Sequence, residues 1–204
     1  MPRVCCRRCI VEAKMMWKGL LAAIMVAVLA VPAASQELTG RFKLQDHDTR
    51  MVTEQSYTGK IRLVTFGYTF CPDVCPTTLS TMAAALDLLG ADADQVVPLF
   101  ITVDPKRDTA EHLKDYMAAF GPRFIGLTGT REMVAEAAFQ YKARYRIHKP
   151  DEAGVYFIDH TAGIFIMDRQ GGFVAKLSHT ATPREVVDAV QAIITPDRRS
   201  ADPG

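Results

Sequence analysis

Apolar positions along this chain switch repeatedly between two spacings. Short runs dense in hydrophobic residues alternate with stretches where they recur every three or four positions, so strands alternate with helices. Within residues 40–53, Arg41–Leu44 and then Met51-Val52 predict a small N-terminal hairpin. Lys60–Phe66 reads as a basic entry to an apolar Ile-x-Leu-Val-x-Phe run, which predicts a buried strand. Leu79, Met82, Ala83, Leu86 and Leu89 follow at helical spacing, and Gly90 ends that helix. Val96–Val103 predicts a strand, with Pro98 suggesting an irregularity near its start. Asp108 and Glu111 suggest a capped start to a helix whose apolar face is Leu113, Tyr116, Met117 and Phe120, stopped by Gly121-Pro122. Phe124–Leu127 is a short strand, and Thr130 caps a third helix bearing Val134, Ala138 and Tyr141. Strands at Tyr156–Ile158 and Ile164–Met167 flank an expected break at Asp159-His160-Thr161. Residues 169–172 turn the chain into a last strand, Phe173–Leu177. Thr182-Pro183-Arg184-Glu185 forms a capping box that opens a final helix with Val186, Val187, Val190 and Ile194. This order predicts an α/β domain whose mixed central sheet is flanked by helices.

Composition changes the picture mainly at the N-terminus. The chain has 204 residues, 49% of them hydrophobic, which suffices for one globular domain with short tails. Its net charge of +1 gives no indication of nucleic-acid binding, but the charge is unevenly placed. Residues 1–18 hold five bases (Arg3, Arg7, Arg8, Lys14 and Lys18) and one acid, leaving 19 bases against 22 acids in the remainder. These bases precede a 13-residue apolar run, Gly19–Val31, and the small residues Ala33, Ala34 and Ser35. Such a run fits a signal-peptide core and is short for a membrane span, so residues 1–35 read as a targeting segment, either a signal peptide or a membrane anchor. Met15 and Met16 stand where an ordinary leader begins. Starting there would omit Cys5, Cys6 and Cys9, which in any case precede the apolar run. Residues 36–195 are the expected folded domain, and residues 196–204 an expected disordered tail.

Two cysteines remain in the exported part, Cys71 and Cys75. Four positions apart at the mouth of a helix, they project from one face, with Cα atoms roughly 6 Å apart, so they can close a disulfide or share one soft ion. A helix N-terminus favours the thiolate needed in either case. Two thiolates suit Cu(I) or Zn(II), and a structural zinc site would want four ligands, for which no further donors have suitable spacing. Cu(I) accepts three-coordination, which one histidine completes. A thioredoxin-like fold fits the order of elements, with the cysteines where the strand ending near Phe66 turns into the next helix.

The stretch Gly67-Tyr-Thr-Phe-Cys71-Pro-Asp-Val-Cys75-Pro76 resembles the signature of the Sco/SenC family. So do Phe100-Ile-Thr-Val-Asp-Pro-Lys-Arg-Asp-Thr109, Gly126–Gly129, and Tyr156-Phe-Ile-Asp-His160-Thr161 ahead of Ile164–Asp168. The likeness runs from about Phe42 to Ile194 in the family's order. It implies a thioredoxin-fold protein held on the periplasmic side of the bacterial cytoplasmic membrane, anchored or released. It implies one copper bound by Cys71, Cys75 and His160, and help in assembling the dinuclear copper centre of cytochrome c oxidase. The implied partners are the oxidase subunit bearing that centre, other copper chaperones and thiol reductants. The segment matching the thioredoxin Thr-Pro loop is His160-Thr161-Ala162, where a histidine would face the sulfurs.

Blander readings stand beside these. The cysteine pair alone suits a redox disulfide in a thiol-disulfide oxidoreductase that needs no metal. Asp159 is a candidate support for the imidazole or a simple turn residue, and Asp73 either tunes the thiolates or holds their loop. Asp104-Pro105-Lys106-Arg107-Asp108 is expected to shape a loop and cap the following helix. His47, His112, His148 and His179 are expected to be solvent-facing or locally bonded, and Met82, Met117, Met133 and Met167 to be packing residues.

Overall fold

The computed structural model describes the backbone of residues 38–201 and the side chains of residues 38–195. The expected targeting segment, residues 1–35, with Cys5, Cys6, Cys9, Met15 and Met16, lies outside the described residues. From Leu38 onward the chain forms one compact unit.

Among the described residues, nine strands and four α-helices follow one another in the predicted order, with one strand added. The strands are β1 (Lys43–Asp46), β2 (Met51–Thr53), β3 (Ile61–Gly67), β4 (Val96–Thr102), β5 (Ile125–Thr128), β6 (Tyr145–Ile147), β7 (Ile158–His160), β8 (Ile164–Met167) and β9 (Phe173–Leu177). The helices are α1 (Val74–Leu89), α2 (Ala110–Ala118), α3 (Arg131–Gln140) and α4 (Pro183–Ala201). Seven strands form a mixed sheet in the order β2-β1-β5-β4-β3-β8-β9, and β6 pairs with β7 in a separate two-stranded sheet. The central β3, β4 and β5 are parallel, while β1 and β8 join them antiparallel. This is the thioredoxin-like arrangement expected from the order of elements.

Alternation along the central strands divides the core in two. Ile61 and Leu63 of β3, with Ile164 and Ile166 of β8, face α1 and α4 through Leu79, Met82, Val186 and Val190. Val64 and Phe66, with Phe165 and Met167, face the opposite layer through Leu127, Val134 and Tyr141. Both faces of β3 and β4 are covered, which explains why these strands read as nearly continuous apolar runs. Met82, Met117 and Met167 are core residues, and Met133 packs against the second cluster.

Several local expectations need correction. β4 pairs with β3 without interruption from Val96 to Thr102, so Pro98 causes no irregularity. Pairing with β5 begins only at Leu99, where the missing proline N–H no longer matters. The cap of α2 is Thr109, whose hydroxyl accepts the His112 N–H, and not Asp108. Asp159 and His160 belong to β7 and not to a break, because they pair with β6, a strand the apolar pattern did not reveal. The final helix extends to Ala201, past Ile194 and into the segment expected to be a disordered tail. At its start the Thr182–Glu185 capping box forms as predicted.

Asp108 is freed from capping because it is fully buried where β4 meets the cysteine loop. Its carboxylate accepts the Thr69 N–H at 3.1 Å, the Thr69 hydroxyl at 2.6 Å and the Thr102 hydroxyl. Its own carbonyl accepts the Thr128 hydroxyl at 2.8 Å. Burial raises its pKa, and the three donated hydrogen bonds offset part of that cost. Asp108→Ala strands these donors in a dry site. We expect a loss of about 2–5 kcal/mol of stability, read from urea unfolding at neutral pH; a loss within the scatter of surface substitutions would rule out this role.

Candidate metal centre

The cysteine loop leaves the C-terminal end of β3 and enters α1, so Cys71 lies before the helix and Cys75 in its first turn. Cys75 is 4% exposed and packs among Leu79, Phe100 and Met82, whereas Cys71 is half-buried. Both are free thiols. Burial pushes the Cys75 thiol well above its ordinary pKa, so without a metal or a counter-charge it stays protonated at neutral pH. Room for its sulfur depends on Gly67, the last residue of β3. A Cβ there would lie 2.7 Å from Cys75 Sγ and 2.7 Å from Phe100 Cε2.

His160 reaches the same spot from β7. Its Nε2 lies 3.4 Å from Cys75 Sγ, and the donor atoms of Cys71, Cys75 and His160 are all within 4.8 Å of one another. Nδ1 faces the Thr161 carbonyl at 3.3 Å. A carbonyl only accepts, so Nδ1 carries the proton and Nε2 turns its lone pair toward the sulfurs. Burial lowers the His160 pKa, which keeps that lone pair free at neutral pH. The imidazole is fixed from behind as well: Tyr145 pairs with His160, the Thr161 N–H donates to the Arg144 carbonyl at 2.7 Å, and the Arg144 N–H donates to the Thr161 hydroxyl at 2.8 Å.

The two expected supporting carboxylates take other places. Asp159 turns away on the alternating strand and bonds His148 at 2.7 Å, not the His160 imidazole. Asp73 is exposed at the start of α1, makes no side-chain cap, and contributes its backbone carbonyl to the Thr77 N–H. His47 and His112 are engaged locally: His47 Nδ1 accepts the Gly126 N–H, and His112 sits 2.9 Å from the Thr69 hydroxyl; His179 is exposed.

The residues that hold the sulfur loop to the histidine strand are Tyr68, Arg107, Asp104 and Tyr156. The Tyr68 hydroxyl accepts the Ile158 N–H at 3.4 Å, and its ring meets His160 edge-on at 5.9 Å. The Arg107 guanidinium lies 3.7 Å above the Tyr156 ring and 4.6 Å from Phe70, and donates to the Tyr156 carbonyl at 3.2 Å. Asp104 accepts both Arg107 Nε and the Tyr156 hydroxyl. The Asp104–Asp108 motif was legible as a loop-shaping element; its grip on Tyr156, 52 positions away, was not.

A donor set of two thiols and one neutral imidazole is that of a soft, low-coordinate metal ion. A family model described as SCO1/SenC matches residues 31–195. The chain belongs to the SCO1/SenC family. Protein SenC of Rhodobacter capsulatus is 39% identical over 158 residues, 78% of this chain and 71% of that one. Among solved structures, copper-bound ScoI of Bradyrhizobium japonicum is 40% identical, with a TM-score of 0.70 over 76% of this chain and 98% of that one. Copper-bound ScoI of Arabidopsis thaliana is 34% identical, with a TM-score of 0.72 over 78% and 99%.

Two outcomes follow from the burial of Cys75. Limited iodoacetamide at neutral pH should alkylate Cys71 well ahead of Cys75, as peptide mass spectrometry would show; the reverse order would contradict the described burial. Gly67→Ala should cost roughly 1–3 kcal/mol in urea unfolding, because an added methyl collides with both a sulfur and a ring. Wild-type stability in that variant would mean that the sulfur is free to move aside.

Proposed function

We propose that this protein is a copper chaperone that takes up one copper ion through Cys71, Cys75 and His160 and assists assembly of the dinuclear copper centre of cytochrome c oxidase. The observation that carries the reading is the convergence of exactly two sulfurs and one unprotonated imidazole nitrogen within 4.8 Å. Cu(I) is satisfied by such a set, and the thiols lose their protons on binding it. Family membership and the copper-bound relatives support the same assignment. Cys71 is accessible enough to exchange ligands with a cysteine on a recipient, while Cys75 and His160 hold the ion from beneath. Exchange with a partner disulfide, which is reduced to two thiols as it takes up the two electrons and two protons, would join Cys71 and Cys75 in a disulfide. That withdraws two of three donors at once, so loading depends on the redox state of the compartment. The setting we assign is the periplasmic side of the cytoplasmic membrane, with the oxidase subunit that bears the copper centre as recipient. Exposed Phe70, Val155 and Phe157 stand on the segments that carry the donors, where a protein partner would dock.

A second reading, a thiol-disulfide oxidoreductase acting on cysteines of a target, is favoured by the free and unequally buried cysteine pair. His160→Ala separates the two. In the chaperone, anaerobic reduced wild type retains one copper per chain. The variant loses affinity by more than the roughly 10–100-fold that removal of a supporting contact costs, and its dithiol–disulfide exchange persists. Wild type that retains no copper yet cycles its disulfide readily would replace the chaperone with the reductase.

A further inference from the structure

At the opposite end of β3 from the cysteines, a polar cavity of about 650 Å³ opens between the first residues of the domain, the turn after β2 and the β8–β9 turn. Arg41, Arg62 and Arg169 line it, against one acid, Glu54. Glu54 is already engaged, since its Oε2 accepts the Phe42 N–H at 3.1 Å. Arg169 donates to Gln95. Arg41 is exposed and makes no ion pair among the described residues.

Arg62 is the unusual member. It is 3% exposed, in the second position of a central strand, yet no carboxylate neutralises it among the described residues. One of its N–H groups donates to the Glu54 carbonyl at 3.1 Å, and its buried Nε has no partner. A buried guanidinium demands an acceptor for each N–H, and a charge kept from water demands an opposite charge. The wall beside it is trimmed to fit: a Cβ at Gly171, where φ is +95°, would lie 2.6 Å from Arg62 Nη2. A buried fork of donors, two further arginines and a cavity many times the size of a water molecule match the two-pronged geometry of a phosphate.

We infer that this cavity is an anion site that binds a phosphate group through Arg62, Arg41 and Arg169. The chemistry is shared by two sources, a free phosphate anion and the headgroup of an anionic phospholipid. The second has a route to the site. Only residues 32–38 separate the N-terminal apolar run from Thr39 on the cavity wall, a reach of at most about 25 Å when extended.

The test uses the full chain with ¹⁵N-labelled arginine, in nanodiscs, and follows the Arg62 Nε–H resonance, so it is independent of Cys71, Cys75 and His160. In phosphatidylcholine discs, inorganic phosphate should shift this resonance saturably, and Arg41→Ala, an exposed change that leaves the fold intact, should weaken binding roughly tenfold. Discs containing phosphatidylglycerol distinguish the sources. A resonance already shifted there, with phosphate unable to move it further, identifies the lipid headgroup. An unshifted resonance that still responds to phosphate identifies the free anion. No saturable response to phosphate and none to phosphatidylglycerol overturns the site and leaves Arg62 as a strut for the turn after β2.

Discussion

The architecture around the metal centre depends on one close approach, the Cys75 sulfur lodged beneath the end of β3 beside His160 Nε2. Burial makes the free thiol reluctant to ionise, so a metal ion bound there would have to displace its proton. That placement requires a glycine at position 67, a ring at Phe100 that closes the pocket, and a helix start that turns Cys75 inward. Each requirement lies on a different element. The core therefore sets the position of the sulfur, and loop residues alone do not.

His160 meets that sulfur through a different construction. β7 contributes only three residues and does not join the main sheet, so its position rests on β6 and on side chains. Tyr68, Arg107, Asp104 and Tyr156 supply the connection, with an arginine face-on to an aromatic ring and a carboxylate shared between that arginine and a phenol. Cation–π contacts of this kind contribute about 0.5–2 kcal/mol each. A group of them ties the sulfur loop to the strand that carries the imidazole.

The two ends of β3 have different chemistry. At its C-terminal end, where parallel α/β sheets place their ligands, stand the sulfurs and the imidazole. At its N-terminal end stands the buried guanidinium of Arg62, near the point where the chain enters the domain. The central strand thus spans from the Cys-Cys-His cluster to a cluster of positive charge.

Much of this was legible in the chain itself. Apolar runs on β3 and β4, the helical stripe from Leu79 to Leu89 and the Thr182–Glu185 box determine their elements because hydrophobic period and capping are local properties. The spacing of Cys71 and Cys75 pointed to a disulfide or a shared soft ion for the same reason, whereas His160 came from the resemblance of its block to the Sco/SenC family. The structure brings the three donor atoms within 4.8 Å of one another. Tertiary structure alone decided where Asp159 points, because a strand alternates its side chains and β6 was too short and polar to announce itself. It alone moved Asp108 from a helix cap to a buried junction, since Thr109 competes for the cap and Thr69 and Thr102 are distant or out of phase in sequence. It alone left Arg62 buried beneath a cavity, because the pattern of a strand shows which positions are apolar but not which neighbours a lone charge will meet.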